Sequence, residues 1–118
     1  MELKEALAEI YKAAHKEFNF ENVPSLHLRQ DEENAQGIFG ITAYYDPSDM
    51  AVVLYITDRH PKDICRSFAH ELVHHMQNMD DGLKDNSGED GSPEENEANS
   101  LAAVIMRQYG RDNTNIYE

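Results

Sequence analysis

The segment Ala51-Val52-Val53-Leu54-Tyr55-Ile56 constrains the fold of this chain more than any other. Six consecutive apolar residues leave no polar face. In a strand, successive side chains point to opposite sides, so both sides of this one need cover. It therefore reads as a central strand. The turn signal Asp46-Pro47-Ser48-Asp49 comes just before it. That turn implies antiparallel pairing with the preceding stretch, Gly37 to Tyr45, which is glycine-punctuated and aromatic. Leu26 and Leu28 alternate with His27 and Arg29 and read as a short, half-buried third strand. Residues 31–36 read as a polar connection.

Cover for such a sheet has to come from helices. Leu3, Leu7, Ile10, Tyr11, Ala14 and Phe18 recur at three- and four-residue steps, one face of an amphipathic helix over residues 2–18. Pro61 suits a first helical turn, and Ile64, Phe68, Leu72, Met76 and Met79 form the stripe of a second helix ending near 79. Ser92-Pro93-Glu94-Glu95 is a helix start, continued by Ala98, Leu101, Ala102, Ile105 and Tyr109 to Gly110. Between these two helices, residues 80–91 are acidic and glycine-rich without periodicity and read as a solvated loop. The expectation is one α+β domain over residues 1–118, with a three-stranded mixed sheet, three helices and a flexible tail at 110–118.

The charge balance narrows the function. With 23 acidic and 10 basic residues among 118, the net charge is −13. Such a surface repels a phosphate backbone and an anionic membrane, but not a cationic or neutral peptide. The single cysteine, Cys65, has no internal partner and offers no second thiolate for a structural metal site. It fits a helix thiol in a reducing, cytoplasmic setting. The first residues lack a basic and then apolar leader, and no apolar stretch is long enough to span a bilayer.

Chemistry concentrates in His70-Glu71-Leu72-Val73-His74. Helical residues four apart sit one turn above each other, so the two imidazoles can grip one metal ion. Glu71 points roughly 100° around the axis from His70. It is off the metal but within reach of a water there. Zinc draws the pKa of such a water down to about 7, and a carboxylate then takes the proton. On the helical wheel, His70 and His74 lie apart from the apolar stripe, as a cleft requires. His75 lies far around from His70 and reads as a flank residue. A third ligand is needed. Gln77 stands where a metzincin has its turning glycine, which removes that class despite Asp80 beyond it. Glu94, Glu95 and Glu97, about twenty residues on, are all candidates by spacing. Glu95 also has the capping-box spacing from Ser92.

Together, His70-Glu71-Leu72-Val73-His74 and Glu95-x-x-Ala98-Asn99 resemble the gluzincins. They are most similar to the minigluzincins and to peptidases of the ImmA/IrrE type. The resemblance in motif covers about thirty residues. It implies a zincin-like domain with an active-site helix and a ligand helix. It implies one zinc ion per chain, held by His70, His74 and Glu95, with Glu71 as general base. It also implies Asn99 as a partner orienting a zinc-binding histidine, although thermolysin-like enzymes carry Asp there. In that family the strand before the central one is the sheet edge, where a peptide substrate lies antiparallel. The expected activity is zinc-dependent hydrolysis of peptide bonds. The alternative is a non-catalytic zinc-binding regulatory module on the same fold. Tyr44, Tyr45 and Tyr109 are candidates for the oxyanion donor, with packing as the competing role of each.

Overall fold

A computed structural model describes residues 2–36, 42–80 and 92–112. The element order is α1 (Leu3–Phe18), β1 (Ser25–Arg29), α2 (Glu32–Gln36), β2 (Ala43–Asp46), β3 (Ala51–Tyr55), α3 (Pro61–Asp80) and α4 (Pro93–Asp112). This is an α+β arrangement with a three-stranded mixed sheet in the order β1-β3-β2. As its unbroken apolar run requires, β3 is central, and Ala51 to Leu54 are all buried. It pairs antiparallel with β2, Tyr45 opposite Val52, and parallel with β1, Leu28 opposite Leu54. Asp46 Oδ1 builds the connecting turn by accepting from the backbone N–H groups of Ser48 and Asp49 at 3.0 and 3.3 Å.

Four helices stand among the described residues where three are expected. The addition is α2, within the stretch read as a polar connection. Asp31 explains it: its Oδ1 accepts from the N–H of Asn34 at 2.9 Å, and its carbonyl accepts from Ala35 N–H at 3.0 Å. A short acidic stretch without an apolar stripe hides a capped helical turn from a periodicity argument. Residues 37–41 of the expected second strand, the loop at 81–91 and the tail beyond 112 lie outside the described residues.

The core draws on every long element. Ala6, Leu7, Ile10 and Ala14 of α1 meet Ile64, Phe68, Leu72 and Val73 of α3, with Val52 and Leu54 beneath and Ala98, Ala102, Ile105 and Tyr109 of α4 alongside. Helix α3 is the centre of the assembly, touching α1, α4, β2 and β3. Arg59 fixes where α3 begins. Its guanidinium donates to the carbonyls of Thr42, Tyr55 and Asp63 and, at 2.7 Å, to Ser67 Oγ, so the ends of β2 and β3 are tied to the first turns of α3. Among the described residues, no helix is long and apolar enough to cross a membrane.

Candidate metal centre

Helix α3 carries two functional faces. Its apolar stripe enters the core, while His70 and His74 face the start of α4, their rings 4.9 Å apart and nearly perpendicular at 78°. The partner that α4 offers is Glu95. His70 Nε2 lies 3.2 Å from Glu95 Oε1, and His74 Nε2 lies 3.1 Å from Oε2 and 3.3 Å from Oε1. A tetrahedral ion with ligands at about 2.0–2.1 Å holds them about 3.3 Å apart. The spacing of each nitrogen from the carboxylate is therefore that of neighbouring ligands on a metal ion. Side-chain exposures of 22% for His70, 18% for Glu95 and 9% for His74 leave one side of the cluster open to solvent.

Glu71 completes the group. One oxygen of its carboxylate and one ring nitrogen each of His70 and His74 all lie within 4.8 Å of one another, an arrangement able to hold a metal ion. On distance, Glu95 is the better third ligand, with its oxygens at hydrogen-bond range from both imidazoles. Burial pushes the Glu71 carboxyl up to about 7; nearby His74 opposes the rise, and Glu95 adds to it. A carboxyl with that affinity for a proton can both accept and release one near neutral pH.

The position of Glu95 reconciles its two candidate roles. Its backbone N–H donates to Ser92 Oγ at 3.1 Å, so Ser92 caps the helix, while the carboxylate reaches across to the histidines. Glu97 sits further round α4. Its Oε1 accepts from Gln77 Nε2 at 2.8 Å, which places it behind the histidines. Glu94 contributes its backbone carbonyl to the same amide at 2.9 Å.

Asn99 is exposed, and among the described residues no hydrogen bond joins it to either histidine. The side chain that does bond a histidine's outer nitrogen is Gln77, whose Oε1 lies 2.8 Å from His74 Nδ1. Sequence reasoning met Gln77 only as a missing glycine. The available signal was its place one turn beyond His74 on the same helix face.

His75 is fully buried. Its Nε2 lies 2.7 Å from the carbonyl of Asn22, which only accepts, so Nε2 carries the proton and Nδ1 accepts from Tyr45 Oη at 2.7 Å. Burial lowers its pKa, and the Asn22 contact opposes the fall. Asn78 donates to the same Tyr45 oxygen at 3.1 Å. The Tyr45 hydroxyl is therefore engaged, Tyr109 lies in the core, and Tyr44 is on the opposite strand face from Tyr45. No protein family, curated protein or solved structure matches the chain. The functional reading therefore rests on the geometry of this cluster.

Proposed function

We propose that the protein is a zinc-dependent metallopeptidase of gluzincin type on a zincin-like domain. The observation that carries the reading is the convergence of His70, His74 and Glu95 on one point, with the Glu71 carboxylate beside it. Two imidazoles and one carboxylate leave a fourth position free, the donor set of a hydrolytic zinc site. Zinc, when bound, supplies a Lewis acid that acidifies water and polarises a carbonyl oxygen.

The residues of the chain do the rest. His70 and His74 each offer a ring nitrogen, fixed one helical turn apart by α3. Glu95 brings the single negative charge of the ligand set and is delivered by the capped start of α4. Glu71 accepts a proton from the attacking water as its oxygen bonds to the scissile carbonyl carbon. It then releases that proton to the amide nitrogen as the C–N bond breaks, so the leaving group departs as a neutral amine. Strand β2 ends the sheet among the described strands, and an extended peptide could add antiparallel to its free edge beside α3.

Glu71→Gln is the test of mechanism, because it keeps shape and removes the basic oxygen. Fold and zinc content stay as in the parent, and cleavage of a broad peptide library falls by about 10²–10⁴-fold. Equal cleavage by the Gln variant would overturn the role of Glu71. A zinc-saturated parent that cuts no member of the library would make the site a metal-binding module.

A further inference from the structure

A histidine binds metal through one ring nitrogen only if that nitrogen carries the lone pair, and in solution neutral imidazole exchanges freely between its two tautomers. Something must settle which nitrogen of His74 is the one left to give its lone pair to a metal held beside Glu95. Gln77 is 7% exposed and makes three contacts. Its Oε1 lies 2.8 Å from His74 Nδ1, and its Nε2 lies 2.9 Å from the carbonyl of Glu94 and 2.8 Å from Glu97 Oε1.

An amide can be turned end for end without changing its shape, so its orientation has to be argued from its partners. Here the partners decide. A peptide carbonyl and a carboxylate accept hydrogen bonds and donate none. Both lie at the same end of the Gln77 amide, so that end is the NH₂ group, and its two hydrogens are both used. The oxygen is then the end that faces His74. An oxygen against a ring nitrogen at 2.8 Å requires a proton on Nδ1.

We propose that Gln77 is a positioning residue: Glu97 and the Glu94 carbonyl orient its amide, and the amide oxygen fixes His74 with the proton on Nδ1 and Nε2 towards Glu95. The inference rests on the zinc reading for its purpose, but the hydrogen-bond lock exists in the protein without metal. The chain of contacts also runs from α3 to α4. The element that delivers Glu95 is therefore the one that orients His74, and the site is assembled by helix docking. The neutral amide takes the place that a carboxylate would otherwise occupy. It orients the ring without adding negative charge beside Glu71 and Glu95.

The test uses the full chain in two states. In the metal-free parent near neutral pH, nitrogen-15 NMR of the imidazole rings is expected to show His74 Nδ1 protonated, any second proton lying on Nε2 and donated to Glu95. A lone pair on Nδ1 there would overturn the proposal, whether or not the protein binds zinc. For the second state, zinc affinity is measured by competition with a chelator. Gln77→Leu should weaken it by about 10–100-fold, the usual cost of removing a ligand's outer hydrogen-bond partner. The exchanged pair Gln77→Glu with Glu97→Gln restores an acceptor to His74 and a donor between the helices but leaves the Glu94 carbonyl facing a carboxylate oxygen, and should recover part of that loss. Parent-like affinity in Gln77→Leu, or an exchanged pair as weak as Gln77→Leu, would also overturn it. A parent with Nδ1 protonated that takes up no zinc would sink the metallopeptidase reading and leave the lock in place.

Discussion

At Glu95 the main chain and the side chain serve different partners. The N–H is held by Ser92 Oγ and the carboxylate faces His70 and His74. Glu97 accepts from Gln77. The two glutamates therefore differ in what amidation costs. Glu95→Gln removes the charge facing both histidines, and zinc affinity should fall by more than the about 10–100-fold typical of an outer partner. Glu97→Gln keeps an oxygen for Gln77 and should change affinity far less. Competition titration of both variants checks the order, and a larger effect at Glu97 would contradict it. His70, Glu71 and His74 were legible because one helical turn relates them. By spacing Glu95 was one of three acids, since spacing along a helix cannot say which side chain crosses to a neighbour; only the resemblance to the gluzincins singled it out. Gln77 was legible only as a neighbour of His74 one turn on, because the partners that orient its amide lie seventeen to twenty residues away on α4.

At the scale of elements, α3 is bounded by contacts of different kinds on each side. Towards β2 the link is polar: His75 joins Tyr45 and the Asn22 carbonyl, and Asn78 joins Tyr45 and the carbonyl of Pro47. Among the described residues, no buried side-chain nitrogen or oxygen lacks a partner. Tyr45→Phe leaves the buried Nδ1 of His75 without its donor. Denaturant unfolding should register a loss of about 1–3 kcal/mol, the cost of stranding a buried polar atom. A change well under that range would mean that water replaces the hydroxyl. The long helices followed from periodicity because each has a core face, and β3 from its unbroken apolar run; β1, expected as half-buried, is exposed except at Leu28. The helix α2 did not, since Asp31 and Asn34 form it through local capping bonds and no apolar stripe announces it. The wheel set His75 apart from the His70 and His74 pair but could not show that it is fully buried, because Tyr45 and Asn22 come from elsewhere in the chain.

For the whole molecule, net charge bears on the proposed activity. A net charge of −13 places a negative field around a cluster able to hold a metal ion. Cationic peptides should be cut with higher kcat/KM than neutral ones at low ionic strength. The advantage should shrink near 1 M salt, where the screening length is about 3 Å. A preference independent of salt would assign it to contacts within the cleft. The most direct measurement is zinc titration of chelator-treated protein, followed by both binding heat and unfolding free energy. One site per chain is expected, with stabilisation of about 2.7 kcal/mol at free zinc a hundred times Kd and loss of tight binding in both His70→Ala and His74→Ala. No stoichiometric zinc in the folded parent, or undiminished binding in either alanine variant, would contradict it.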